Sequence, residues 1–65
     1  DGLSEIRKVI NKSAELLKRN GILVLEIGFN QKERVKRLLK KKQFYIKNVL
    51  KDFANNDRCI ISKKI

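Results

Sequence analysis

Few side chains in this sequence are equipped for chemistry, and their spacing narrows the field further. The chain has no histidine and a single cysteine, so neither a Cys/His metal set nor an intrachain disulfide can be assembled. Cys59 lies in the apolar run Cys59-Ile60-Ile61 and reads as a small buried hydrophobe rather than a nucleophile. Glu26 is different. It is the one polar residue in the aliphatic run 22–27 and stands near its carboxyl end, where α/β sheets place their ligands. Gln31 follows beyond the turn Gly28-Phe29-Asn30. A carboxylate and a carboxamide placed there can line the rim of a substrate cleft, or can simply hydrogen-bond a loop and cap a helix. No residue qualifies as catalytic, cofactor-binding or metal-binding.

The elements that must position these two residues follow from periodicity. The run 22–27 is too short for a buried helix and is bounded by Asn20-Gly21 and Gly28, which predicts a strand with both faces covered. Before it, Leu3, Ile6, Ile10, Ala14 and Leu17 make a helical stripe widened by Val9, Ser13 and Leu16, predicting a helix over 3–19. Asp1 or Ser4 is the expected cap, and Asn20-Gly21 the expected left-handed stop. A second helix is predicted over 31–42, with Asn30 as N-cap, Glu33 completing a capping box, and Val35, Leu38 and Leu39 as its narrow apolar side. Strands are predicted over 44–51, whose lysines suit a sheet edge, and over 57–62, whose apolar centre suits an inner position. Asn55 or Asn56 is expected to take positive φ in the turn between them. The fold class is therefore α/β in the order α-β-α-β-β. The first two strands should be parallel about a crossover helix, the last should be antiparallel, and both helices should share one face. Gly28 is expected to tolerate a β-branched side chain less well than Gly21 tolerates asparagine.

Composition bounds the rest. At 65 residues the chain is one small unit, of a size that buries only about 60% of its unfolded surface. No apolar run reaches the roughly 20 residues of a membrane span, and the reduced cysteine suits a cytoplasmic setting. The net charge of +10 attracts polyanions such as RNA, although a general habit of using lysine wherever the chain meets solvent explains it equally well. The sequence opens on Asp1 and enters a helix almost at once, as expected of a piece of a longer protein.

One resemblance covers nearly the whole chain. Asp1-Gly2-Leu3, Ile6 and Ile10, Leu25-Glu26-Ile27-Gly28 with Gln31 three residues on, Lys51-Asp52-Phe53-Ala54 and Asp57-Arg58 resemble the carboxyl-terminal part of the HemK-like release-factor glutamine methyltransferases. That family's pattern runs roughly DGL, a helix ending LKPGG, the strand LEIG followed by Q, then KDLAG, a variable residue and DR. Here Arg19-Asn20 replaces the Pro-Gly at the helix end and Asn55 replaces the turn glycine. The resemblance implies a class I S-adenosylmethionine-dependent methyltransferase sheet, in which residues 1–65 are the last part of the catalytic domain and the final strand is inserted between the other two. It also implies methylation of the glutamine in the GGQ motif of peptide-chain release factors. The glycine-rich cofactor loop and the Asn-Pro-Pro-Tyr motif of that family have no counterpart here, so no catalytic or cofactor residue is carried over. The chain alone is expected to be inactive and not to bind S-adenosylmethionine. Its expected partners are the upstream half of the same enzyme, a release factor and, through a bared sheet face, a second copy of itself. Two alternatives stand beside this reading: a small basic RNA-binding module supported by charge alone, and part of a related RNA or DNA N-methyltransferase.

Overall fold

A computed structural model describes residues 3–65 and contains, in order, helix α1 (Ser4–Leu16), strand β1 (Ile22–Glu26), helix α2 (Lys32–Lys41) and strands β2 (Phe44–Lys51) and β3 (Asp57–Lys64). The expected use of Asp1 as a cap falls outside these residues. The strands form one sheet in the order β1-β3-β2. β3 is antiparallel to both neighbours, so β1 and β2 point the same way without touching. The last strand in the chain is thus the centre of the sheet, and both of its ladders are antiparallel.

The register sorts side chains cleanly between the two faces. Leu23 and Leu25 lie opposite Ser62 and Ile60, and across β3 those two face Ile46 and Val49. This face meets the helices. Leu25, Ile27, Phe44 and Ile60 from the sheet side join Ile10 of α1 and Val35 and Leu39 of α2 in one buried cluster, with Leu3 at its margin. Ser62 is buried among them, and its hydroxyl donates to the Leu23 carbonyl at 3.0 Å, which removes most of the cost of placing an oxygen in the core. The opposite face is uncovered. Ile22, Val24, Tyr45 and Leu50 on it are 46%, 56%, 57% and 44% exposed.

Several local expectations are corrected. α1 ends at Leu16, not at residue 19: Leu17 is already extended at φ −78°, ψ 137°, and its N–H closes the last bond to Ser13. That early exit lets Leu17 turn back onto the core, while Leu16 and Val9 point to solvent instead of widening the stripe. Leu3 occupies the N-cap position without a side-chain cap bond, so Ser4 does not serve as the cap. Asn30 is not the cap of α2 either. It is left-handed at φ 62°, and Gln31 follows in the cap position with no side-chain cap bond. Positive φ also falls on Asn20, Gln43 and Asn55, and on no glycine among the described residues. β3 runs two residues past its expected end because Lys64 exchanges backbone bonds with the connection into β1: Asn20 N–H to Lys64 O and Lys64 N–H to Gly21 O, both 2.8 Å.

The ranking of the two glycines is reversed. A Cβ on Gly21 would stand 2.9 Å from the Lys18 carbonyl oxygen and 3.1 Å from Leu17 Cδ2, whereas one on Gly28 would meet only the end of the Gln31 side chain at 3.2 Å. The first obstacle is backbone and fixed; the second is the end of a side chain, which can give way by loosening its bond to the Gly28 N–H. Gly21 is therefore the position where the fold needs the missing side chain.

Candidate substrate-cleft rim

The carboxyl end of β1, the amino end of α2 and the β2–β3 turn meet at one end of the sheet. β1 hands over to the helix through a turn locked by a side chain of its own. Ile27 N–H still donates to Arg58 O at 2.8 Å, extending the sheet contact by one residue. Gly28 N–H then donates to Gln31 Oε1 at 2.7 Å, and Gln31 N–H donates back to Gly28 O at 3.2 Å. The Gln31 carboxamide thus does for the turn what a neighbouring strand would do for a ladder, and its main-chain carbonyl accepts Val35 N–H at 3.0 Å to start α2.

The turn between β2 and β3 is built on Asp52. Its Oδ1 accepts the N–H groups of Ala54 and Asn56, both at 2.9 Å, while Arg58 Nε donates to Oδ2 at 3.1 Å. Asp52 N–H donates to Asn56 O at 2.9 Å and Asn55 N–H to Asp52 O at 3.0 Å. Asn55, at φ 68°, supplies the left-handed residue that closes the loop. These donors, the Asn56 N–H first, hold the Asp52 carboxyl below its ordinary value of 3.8 against the opposing effect of partial desolvation.

Asp57 joins the two loops. Lys51 Nζ of the edge strand is 3.1 Å from its Oδ1 and Lys32 Nζ of α2 is 3.4 Å from its Oδ2. The Lys51 contact is an ion pair without an aligned hydrogen bond, since the shielded Oδ1 has no donor directed at it. Lys51 above all, then Lys32, keeps the Asp57 carboxyl below its ordinary value. A carboxylate clamped between two ammonium groups is a poor proton acceptor, so this end of the sheet can position and recognise but is not set up for acid–base work.

Between the two loops lies a cleft of about 240 Å³, with Gly28, Lys32, Asn55, Asn56 and Asp57 in its walls and Phe29 at its edge. Neither Glu26 nor Gln31 is among its lining residues. Glu26 is exposed on the open sheet face, opposite Cys59 of β3, and Gln31 is half-buried in the turn toward the helices. The two sequence-derived rim residues therefore stand on different sides of β1. The cleft's actual polar centre, Asp57 with Lys32 and, beside it, Lys51, carries no signal in any one element; only Lys51 and the Asp57-Arg58 pair, both in the family pattern, point toward it. Two aromatics mark the same end, Phe29 at 76% exposure and Phe53 protruding fully from the turn. Among the described residues no cluster of His, Cys, Asp or Glu could hold a metal ion, and no helix is long and apolar enough to cross a membrane. The cleft is small, and its carboxylate is occupied by two lysines.

Comparison with known proteins gives this end of the sheet its setting. The chain is homologous to methyltransferases. More narrowly, nearly its whole length matches the carboxyl-terminal segment of the release factor glutamine methyltransferases, at 34–41% identity across several of them. The protein of that name from Fusobacterium nucleatum is 41% identical over 64 residues, 98% of this chain and 18% of that protein. Its counterpart from Aquifex aeolicus is 41% identical over 56 residues, 86% of this chain and 20% of that protein. A bifunctional methyltransferase from Rickettsia felis is 37% identical over 65 residues, all of this chain and 12% of that protein. The chain thus spans about a fifth of the length of the first two relatives. No protein-family model matches it, and no solved structure does either.

Proposed function

We propose that the chain is the carboxyl-terminal portion of a cytoplasmic S-adenosylmethionine-dependent methyltransferase that modifies the GGQ glutamine of peptide-chain release factors. In this reading residues 1–65 are the end of its catalytic domain, and the sheet is the last part of a class I methyltransferase sheet. The match of 98% of the chain to the Fusobacterium nucleatum release factor glutamine methyltransferase carries the proposal. The sheet order supports it, because a reversed last strand between two co-directional ones is what the family resemblance implies. So does the bare face, on which an upstream half of the enzyme would rest.

The role of this segment is to shape one wall of the substrate cleft. Asp57 and Lys32 line that wall, Gln31 holds the adjoining Gly28 turn by its side chain, and Glu26 ends the strand on the open face, where an upstream half of the enzyme would bring it to the rim. Cofactor binding and the grip on the substrate amide lie with residues upstream of these. The decisive experiment is methyl transfer by the longer protein that carries this segment. Label from S-adenosylmethionine is expected on the glutamine of a release factor, and label on RNA or DNA instead would overturn the proposal. The 65-residue chain alone, titrated calorimetrically with S-adenosylmethionine, is expected to show no saturable heat; micromolar affinity would mean that the cofactor sits elsewhere than proposed.

A further inference from the structure

A second concavity lies at the other end of the sheet. It has a volume of about 500 Å³, runs between α2 and β2, and is lined by Lys36, Lys40, Phe44, Tyr45, Ile46 and Ile65. Lys36 and Lys40 are one helical turn apart and so share the side of α2 that borders it. Tyr45 stands at the lip, 57% exposed, with Lys63 Nζ 6.0 Å from its ring centroid. Lys64 Nζ is 5.5 Å from the centroid of the Phe44 ring and 3.4 Å from the Lys42 carbonyl. Among the described residues no acidic side chain lines the groove. Glu26, Glu33, Asp52 and Asp57 all belong to the far end of the sheet and helix, and Glu15, at the end of α1, lies 3.9 Å from Lys12 of its own helix.

Two occupants carry the complementary charge: an acidic peptide added as a strand to β2, or a single-stranded nucleic acid. The rim of β2 is spoiled for the first. The register shifts between Ile46 and Asn48, leaving Lys47 as an unpaired extra residue, and the Asn48 side chain takes up the Val49 N–H at 2.9 Å. A bulge with lysines on an edge strand is a standing obstacle to strand addition. The second occupant needs spaced cations for phosphates and an exposed aromatic face for a base, and the groove offers both. We propose that the groove between α2 and β2 binds single-stranded nucleic acid, with Lys36 and Lys40 meeting phosphates and a base passing over the edge strand to stack on Tyr45, which stands at the lip on the open sheet face. This goes beyond the methyltransferase reading and does not depend on it.

Fluorescence anisotropy of labelled oligouridine and oligothymidine against this chain tests it. Both probes should bind comparably, since phosphate contacts and stacking on Tyr45 are open to either sugar; binding of only one would overturn the assignment. Lys36→Gln with Lys40→Gln should flatten the slope of log affinity against log salt by about 1.4, at about 0.7 for each phosphate left unneutralised on a single strand. Lys8→Gln with Lys12→Gln removes the same charge from exposed positions on α1 and should leave most of the affinity. Tyr45→Leu should weaken binding about tenfold while Tyr45→Phe keeps it. Equal losses from the two lysine pairs would reduce the effect to net charge, and indifference to Tyr45→Leu would remove the stacking. Displacement of the probe by polyglutamate at matched charge would assign the groove to acidic peptides. Each of those three results overturns the proposal.

Discussion

The uncovered face of the sheet should make this chain associate with itself, and Val24→Lys should stop it. Ile22, Val24, Tyr45 and Leu50 keep between 44% and 57% of their surface in water. Complete burial of such a side chain contributes about 1.5–3 kcal/mol, so covering the remaining half yields about 0.7–1.5 kcal/mol each. Four from each of two copies give about 6–12 kcal/mol, against about 4–15 kcal/mol for the freedom lost on association. The two ranges overlap, so dimerisation is marginal and one charge decides it. A net charge of +10 per copy opposes contact at low salt, and screening within about 8 Å at physiological ionic strength weakens that opposition. Sedimentation equilibrium should therefore show a monomer at low salt and a growing dimer fraction as salt rises. Val24→Lys, placing an ammonium among these side chains, should keep the chain monomeric throughout without unfolding it. A wild-type monomer at high salt and high concentration would refute the reasoning, as would a Val24→Lys protein that still dimerises.

Gly21→Ala should destabilise by about 1–3 kcal/mol through its clash with the Lys18 carbonyl, a drop in Tm of several degrees or more for a domain of this size. Gly28→Ala should stay within about 1 kcal/mol of wild type, so equal melting temperatures would contradict the geometry. Both Asp52 and Asp57 have carboxyls depressed below 3.8 in the folded chain. Their contribution is therefore complete above the unfolded value and is lost as pH falls through and below it. Thermal melts should decline as pH falls below about 4, and Asp52→Asn with Asp57→Asn should flatten that decline; an unchanged acid profile in the double variant would show that these pairs do not matter to stability.

What the sequence makes legible is whatever a single element declares about itself. Alternation along 22–27 marks which side chains share a face, and the apolar centre of the last strand sets it apart from the lysine-bearing β2. The stripe of α1 locates its helix but not its end, because Leu17 leaves the helix to reach the core and a helical period cannot announce that departure. Asn30 reads as a cap since asparagine is common there. The same short side chain also tolerates the left-handed region, and the Gln31–Gly28 bond selects that role. Asp57 is beyond reach for another reason. Its partners, Lys32 and Lys51, come from two other elements, and among so many lysines nothing local distinguishes the pair that the fold brings together.

The placement of β3 also governs how this chain acquires its structure as it is synthesised. β1 and β2 never bond to each other; each finds its neighbour only in β3, which emerges after both. Until residues 57–64 have left the ribosome, β1 and β2 have no strand of this segment to pair with. A nascent chain that stalls in the β2–β3 turn has both helices but neither of the two ladders that this segment builds. Closure then comes in one step that joins the last residues to the first strand, where Lys64 bonds to Asn20 and Gly21. Such late, long-range closure is slow relative to helix formation, and in that interval the exposed apolar strands are the part of the chain most in need of shelter.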